Sequence, residues 1–227
     1  MAELVITIDG PAASGKSTVA RLVAQKLGAS FLDTGAMYRA VTLAAIRTGV
    51  DLSDEKKLLG VMRVSNFQFS VKDGLTTVSI DGVNVTEQIR SPEVTAKARY
   101  IASAAKIREK LVQMQRRFAA GEKKLVTEGR DQGTVAFDDA DIKFYLTADA
   151  GERARRRQEE LVAKGDSKSL EEIQKAIEER DKSDQMRTVG PLKPAEDAII
   201  IDTTDLSIEE VVEKVLGFVK EKCLKKS

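Results

Sequence analysis

Short apolar runs recur along the chain, and their apolar residues do not alternate with polar ones. Runs of this kind that are rich in β-branched residues are typical of strands buried on both faces of a parallel sheet. They lie at Leu4–Ile8, Leu125–Thr127, Ile142–Leu146 and Ile199–Ile201, with Phe31–Leu32 as a weaker fifth candidate. Helical patterns separate the runs: apolar residues three and four apart predict a helix over Thr18–Leu27, which Gly28 ends. Strands that alternate with helices predict an α/β fold with a parallel sheet wrapped by helices.

Two segments break this alternation. Residues 67–85 read FQFSVKDGLTTVSIDGVNV, with apolar residues at every second position at first and Asp-Gly pairs at 73–74 and 81–82. Asp-Gly favours tight hairpin turns, so this segment predicts a small antiparallel β module inserted into the fold. Residues 151–194 are dense in charge, and Ser169 with Glu172 matches the capping box that begins a helix. We therefore expect a helical hairpin in this second segment.

Composition narrows the classes of function. The 227 residues are 42% hydrophobic and 32% charged, enough for one sizeable core in a single domain. A formal net charge of +1 provides no global field for nucleic acid or an anionic membrane. Cys223 is the only cysteine and histidine is absent, which excludes an internal disulfide, a Ser-His-Asp triad and a His-ligated metal. Without a signal peptide or a membrane-length apolar run, we expect a cytoplasmic protein with neither membrane nor nucleic acid as partner.

A phosphate-binding loop follows the first predicted strand. Gly10 to Ser17 read GPAASGKS, which satisfies G-x-x-x-x-G-K-[ST] between a strand and a helix. Backbone N–H groups of such a loop surround a polyphosphate, Lys16 reaches the β- and γ-phosphates, and the Ser17 hydroxyl is a ligand for Mg²⁺. We expect ATP to be bound by Gly10, Pro11, Ala12, Ala13, Ser14, Gly15, Lys16, Ser17 and Thr18.

This loop occurs in several classes of protein. A GTPase switch reads guanine with Asn-Lys-x-Asp, but the only asparagines, Asn66 and Asn84, precede Phe and Val. Large ATP-driven machines carry longer chains and an apolar strand that ends in an acidic residue. Here Glu128 and Asp131 lie near a strand end, and neither is diagnostic.

Clustered arginines favour phosphoryl transfer between small molecules, because catalysis of that reaction consists mostly of positioning and charge neutralisation. The clusters are Arg39, Arg130, the run Arg153, Arg155, Arg156 and Arg157, and the pair Arg180 and Arg187. Each arginine could instead be a solvated charge on a helix.

Helical spacing favours a ligand for some of these charges. Leu170, Ile173 and Ile177 predict an inward-facing stripe that continues through Arg180, Asp184 and Arg187. A weak surface ion pair between Arg180 and Asp184 is the alternative. A helix that begins at Ser91-Pro92 likewise carries Val94, Ala98, Ile101 and Ala105, and its stripe then reaches Arg108.

Four longer motifs are more specific than the phosphate loop. In this order and with these gaps, ITIDGPAASGKSTVA, FLDTGAMYRAVTLAA, EGRDQGTVAF and RDKSDQMRTVGPL resemble the bacterial cytidylate kinases of the nucleoside monophosphate kinase family. The resemblance covers nearly the whole chain. It implies a five-stranded parallel sheet of the P-loop NTPase type, a monophosphate-binding region at 34–110 that includes the β module, and a lid with its following helix at 151–193. Residues 1–33, 111–150 and 194–227 would form the core.

The resemblance also implies a reaction, in which the γ-phosphoryl group of Mg-ATP passes to CMP or dCMP. We expect the protein to be a monomer. Thr34, Arg39, Arg130 and Arg187 would hold the acceptor phosphate, Arg108 and Asp131 would face the cytosine with Tyr38 nearby, and Arg180 and Asp184 would bind the sugar. Arg153, Arg156 and Arg157 would be lid arginines on the transferring phosphates. The implied catalytic set is Lys16, Arg130, Arg153, Arg157 and Arg187.

Cytosine offers an amino donor and two acceptors, which a carboxylate such as Asp131 and a guanidinium such as Arg108 would match. The chain departs from the family pattern at two positions: Arg99 aligns with a serine that many members carry near the cytosine, and Gln132 replaces a common methionine. Two other functions remain open. The chain could be a kinase for another small acceptor, or a nucleotide-dependent binding protein that contacts RNA through Arg153–Arg157.

Overall fold

A computed structural model describes residues 2–72, 75–163, 165 and 167–224. Five parallel strands form the central sheet in the order β2-β6-β1-β7-β8, and β3, β4 and β5 form a separate antiparallel sheet. The strands are β1 Leu4–Asp9, β2 Ser30–Asp33, β3 Phe67–Lys72, β4 Leu75–Ile80, β5 Val83–Asn84, β6 Lys124–Gly129, β7 Ile142–Thr147 and β8 Ile199–Asp202. The predicted α/β class is confirmed, and each of the five apolar runs lies in a strand of the central sheet.

Helices cover both faces of this sheet. They are α1 Lys16–Leu27, α2 Thr34–Arg47, α3 Glu55–Val64, α4 Pro92–Ser103, α5 Ala105–Ala120, α6 Ala150–Val162, α7 Leu170–Gln185 and α8 Ile208–Leu224, with a 3₁₀ turn at Gln88–Arg90 and a π-helical turn at Gln132–Ala136. On one face, Val23 of α1 and Val215 of α8 pack with Ile8 of β1. On the other face, Met37 of α2 and Leu111 of α5 pack in a second apolar cluster. Gly28 ends α1 with a left-handed backbone (φ 60°), as predicted.

The inserted β module is confirmed as an antiparallel meander. β3 pairs with β4 so that Phe69 lies opposite Val78, and β4 pairs with β5. Asp81 and Gly82 form the second turn with φ values of 52° and 81°, the left-handed backbone that an Asp-Gly hairpin turn requires. The first predicted turn, at 73–74, lies outside the described residues. Apolar residues of the meander pack against α2, which places the module at one end of the parallel sheet.

The single helix predicted from Ser91-Pro92 through Arg108 is wrong, because α4 and α5 are separate helices. Ala104 has an extended backbone (φ −80°, ψ 107°) between them. The Ser103 hydroxyl donates to the carbonyl of Arg99 at 2.9 Å, a bond within the last turn of α4 of a kind that slightly weakens helices. As a result, Arg108 lies in the first turn of a new helix rather than on the stripe of α4.

The charged segment forms the predicted helical hairpin, α6 and α7, and the capping box of Ser169 with Glu172 is present. Its predicted stripe is only partly right. Ile173 and Ile177 are buried, but Leu170 is 41% exposed. Asp181 and Asp184 are buried whereas Arg180 is exposed, although Arg180 also keeps the helical spacing, because the Asp181 carboxylate is bonded to the Ala12 N–H and to Arg153. Among the described residues, no helix is both long and apolar enough to cross a membrane.

Candidate active site

The phosphate loop connects β1 to α1, and its backbone leaves little room for other residues. A Cβ atom on Gly10 would lie 2.1 Å from the carbonyl oxygen of Leu146. Gly15 caps α1 in the left-handed region (φ 82°), and Ala13 also adopts that region (φ 58°) although it is not glycine. The loop is therefore held in one tight curve that directs the N-terminus of α1 towards its concave side.

Lys16 lies inside this curve and is buried. Its Nζ donates to the carbonyl of Pro11 at 3.0 Å. Burial, together with the nearby positive charge of Arg130, lowers the pKa of Lys16 to about 7. An anionic ligand beside Nζ would reverse this effect by stabilising the charged form.

Three carboxylates lie at the carboxyl ends of neighbouring strands: Asp9 of β1, Asp33 of β2 and Glu128 of β6. All three are buried. The hydroxyl of Ser17 lies close to the carboxylate of Glu128, and burial raises the pKa of Glu128. In the sequence, the position of Glu128 was not diagnostic of a function, and Asp9 and Asp33 were not among the predicted site residues. The available signal was their common position, since parallel α/β sheets bind ligands beyond the carboxyl ends of their strands.

Arginines surround the space in front of Lys16, and most of them are paired with carboxylates. Arg39 binds Asp33 at 3.0 Å, and Arg90, which sequence analysis did not select, binds the same carboxylate oxygen at 3.2 Å. Arg130 Nε donates to Asp184 Oδ2 at 2.9 Å. Of the residues predicted to hold the acceptor phosphate, Thr34 and Arg39 thus come from α2 and Arg130 from the segment after β6. Thr34 is buried here, and its hydroxyl donates to the carbonyl of Glu128 at 2.7 Å.

Asp184 also pairs with Arg187, which follows the end of α7. This arrangement replaces the ion pair between Arg180 and Asp184 that was the alternative interpretation of the sequence. Arg180 is exposed to solvent, but the surrounding protein and the charge of Arg130 lower the pKa of its guanidinium to about 10. Like charges around a concave space in this way favour an anionic ligand.

Arg108 and Asp131 meet as a buried ion pair beside this cluster. The Arg108 guanidinium lies 5.4 Å from the centre of the Tyr38 ring, and burial raises the pKa of Tyr38. Gly190 (φ 61°) borders the pair so closely that a Cβ there would lie 2.2 Å from Asp131 Oδ2. The predicted pair of base-reading residues is therefore together in space. Arg99, by contrast, lies on the exposed side of α4 against Tyr100.

Asp9 supports the segment that carries Asp131. Its two carboxylate oxygens accept the backbone N–H groups of Gln132 at 2.9 Å and Gly133 at 2.8 Å, at the start of the π-helical turn. Burial nevertheless raises the pKa of Asp9 to about 7. Because Asp9 directly precedes Gly10, one residue connects the phosphate loop to the segment that carries Asp131.

The three predicted lid arginines differ in their surroundings. Arg153 is buried, with its guanidinium on the carbonyls of Ala12 and Ala148 and on Asp181. Arg156 donates to the side-chain and backbone oxygens of Thr203. Arg157 pairs with Glu160 at the surface. A cleft of about 590 Å³ lies between α6, the phosphate loop and residues 204–208.

Comparison with known proteins supports one family. A family model described as cytidylate kinase matches residues 6–221. The cytidylate kinase of Desulfitobacterium hafniense (strain Y51) is 46% identical over 219 residues, covering 96% of this chain and 94% of the relative. That of Stutzerimonas stutzeri (strain A1501) is 49% identical over 224 residues, covering 97% and 96%.

A crystal structure of an uncharacterized protein from Eubacterium ventriosum ATCC 27560 superposes with a TM-score of 0.51 at 13% identity, over 96% of this chain and 99% of that one. This likeness concerns the fold alone. The family match spans the phosphate loop, the arginine cluster and the helical hairpin of α6 and α7, and the resemblance of the four sequence motifs is confirmed. This chain belongs to the cytidylate kinase family.

Proposed function

We propose that the protein transfers the γ-phosphoryl group of ATP to CMP or dCMP, which yields ADP and CDP or dCDP. One observation supports this most strongly. The buried Nε donors of Arg39, Arg108 and Arg187 have no hydrogen-bond partner among the described residues; Arg39 and Arg187 belong to the arginine cluster in front of Lys16, and Arg108 lies beside it. Unpaired buried donors are costly, so a cluster of them is suited to an anionic ligand such as the acceptor nucleotide.

The donor nucleotide fits the phosphate loop. The buried hydroxyl of Ser14 also has no partner within the part of the chain that the structure describes, and phosphate oxygens would satisfy it. Lys16 would bind the β- and γ-phosphates. The adenine would lie in the cleft beside Arg156, and Arg153 and Arg157 belong to the lid on the donor side.

Mg²⁺ fits beside the loop, where the Ser17 hydroxyl and the Glu128 carboxylate already contact each other. Hydroxyl and carboxylate oxygens are the hard ligands this ion takes, and it keeps several waters. When bound, the ion would neutralise charge on the donor phosphates.

For the acceptor, Arg39, Arg130 and Arg187 would bind the monophosphate with Thr34, while Arg180 and Asp184 would bind the sugar. Arg108 and Asp131 would part from each other to bind the cytosine, above Tyr38. A strong general base is not required, because the attacking atom is already a phosphate oxygen. The arginines would hold that oxygen in line with the γ-phosphorus, and closure of the lid would exclude water.

The regions proposed for these tasks are the monophosphate-binding region at 34–110, the lid with its following helix at 151–193, and the core formed by the rest. We further propose that the protein works in the cytoplasm as a monomer, with small molecules as its substrates.

The test is ADP release in a coupled assay with Mg-ATP and a panel of CMP, dCMP, UMP, AMP, GMP and no acceptor. CMP and dCMP are expected to give the highest turnover. The proposed function is wrong if no nucleotide exceeds the control without acceptor, or if a purine nucleotide dominates.

A further inference from the structure

One buried ion pair in the lid hairpin occupies both backbone polar groups of a single residue in the phosphate loop. The N–H of Ala12 donates to Asp181 Oδ1 at 3.0 Å. The carbonyl of the same residue accepts from Arg153 Nη1 at 3.1 Å. Arg153 and Asp181 also pair with each other, so the three residues form a closed ring of hydrogen bonds. Arg153 comes from α6 and Asp181 from α7.

This ring is out of reach of solvent. Arg153, Asp181 and Ala12 are each 7–8% exposed. Arg153 Nε is held as well, since it donates to the carbonyl of Ala148 at 3.0 Å. Ile173 and Ile177 pack with Ala12 in one apolar cluster and cover the ring. Nε and Nη1 of Arg153 are therefore both bonded to protein oxygens, and Arg153 is not a freely solvated helix charge.

The loop needs support at this point. Ala13, the next residue, has a left-handed backbone that costs about 1 kcal/mol or more for a residue other than glycine, and such a conformation persists only where its surroundings hold it. On the other side, the carbonyl of Pro11 accepts from Lys16 Nζ. The ring thus fixes the backbone groups of Ala12. This residue lies between Pro11, whose carbonyl accepts from Lys16, and the strained Ala13.

We infer that Arg153 and Asp181 are positioning residues, which clamp Ala12 and thereby hold the phosphate loop in the shape that binds the donor triphosphate. This inference rests on the proposed donor site. It assigns Arg153 a role that differs from the phosphate contact implied by the family resemblance, and it assigns Asp181 a role of its own. Asp184, one turn further along α7, pairs with arginines of the acceptor site instead.

The test replaces the ion pair by apolar side chains of similar size in the double variant Arg153→Met, Asp181→Leu. Buried ion pairs often tolerate such replacement without loss of stability, so the fold is expected to survive while the clamp is lost. A milder second variant, Asp181→Asn, keeps an acceptor for the Ala12 N–H but removes the charge that holds Arg153. The control is Gln174→Ala, Glu178→Ala, an exposed hydrogen-bonded pair on the same helix.

Affinities for Mg-ATP and for CMP are measured separately by calorimetry, below the melting temperature of each variant. The double variant is expected to bind ATP about 10–100-fold more weakly, since small displacements of positioning groups have effects of that order, with CMP affinity within about twofold of the native value. Asp181→Asn should lose about 3–10-fold in ATP affinity by the same reasoning. Hydrogen exchange at the loop should accelerate in both variants.

Native ATP affinity in the double variant, with a native-like circular dichroism spectrum, would overturn the inference, and so would an equal loss of ATP and CMP affinity. If the double variant does not fold, native ATP affinity and native loop exchange in Asp181→Asn would overturn it. Failure of the proposed function is distinguishable, because it would appear as an inactive acceptor panel while the ATP-binding results stand.

Discussion

The phosphate loop and the arginine cluster meet at Lys16, but they are built from different parts of the chain. The loop presents backbone groups of consecutive residues, held by glycines and by the ion pair of Arg153 with Asp181. The cluster presents side-chain charges from distant segments, most of them already paired with carboxylates, as Arg130 is with Asp184. A backbone site of the first kind is formed before its ligand arrives.

The second kind of site must exchange partners. In the proposed function, each paired arginine that binds the acceptor nucleotide would give up part of an existing ion pair, so acceptor affinity would be a difference between two sets of charged contacts. Substitutions on the donor side should therefore remove interactions outright, whereas those on the acceptor side also leave a buried partner without its counter-charge.

The largest expected effect is that of Lys16→Ala, which removes the one side-chain cation inside the loop. Phosphoryl transfer should fall by about 10³-fold, comparable to the loss of a single stabilising donor in other active sites. The fold should persist, since Lys16 is buried at a cost that lowers its pKa. Turnover in the coupled assay and circular dichroism measure the two properties. An active Lys16→Ala protein would refute the assignment of the donor site.

A second prediction concerns the base-reading pair. In Asp131→Ala, Arg108 stays buried without its carboxylate, and kcat/KM for CMP should fall about 10²-fold while KM for ATP is unchanged. Steady-state kinetics with each substrate varied in turn measures both constants. Asp138→Ala, at an exposed carboxylate of the same segment, is the matched control. Equal losses for both substrates would show that Asp131 organises the donor phosphates or their metal ion rather than the base.

The donor side is also the side that sequence analysis predicted best. The apolar runs, the loop and the helix that ends at Gly28 are local features, because each depends on residues close together in the chain. The break between α4 and α5 was missed, since neither glycine nor proline marks Ala104. In the structure, the Ala104 backbone is extended and its N–H donates to the carbonyl of Ile101.

The acceptor side was predicted in part. Arg108 and Asp131 lie 23 positions apart in the chain, and the family resemblance brought them together where no local pattern could. The role of Asp181 was not predicted because its partners are Ala12 and Arg153, which lie far from it in sequence. Helical spacing could not have separated Asp181 from Arg180, because Arg180 lies three residues after Ile177 and four before Asp184 and keeps the stripe as well.

The smallest predicted effect concerns Asp9, which directly precedes the phosphate loop and also holds the segment that carries Asp131. Burial raises its pKa from 3.8 to about 7 despite two backbone N–H donors. Between pH 3.8 and pH 7 the native state binds more protons at this site than the unfolded chain does. The contribution of Asp9 to stability is therefore present at low pH and is lost as pH rises towards 7, by up to about 1.4 kcal/mol per pH unit. In Asp9→Asn that slope should be absent.

Urea unfolding of both proteins at pH 5, 6, 7 and 8 gives the comparison. From pH 5 to pH 8, the native protein should lose roughly 2 kcal/mol of unfolding free energy relative to Asp9→Asn, because one carboxyl ionises against burial over that range. Parallel curves would mean that the N–H groups of Gln132 and Gly133 outweigh burial and keep Asp9 ionised throughout. In that case the Asp9 carboxylate stays charged over this pH range and keeps its two hydrogen bonds to the segment that carries Asp131. A change in pH could then not alter one site through the other.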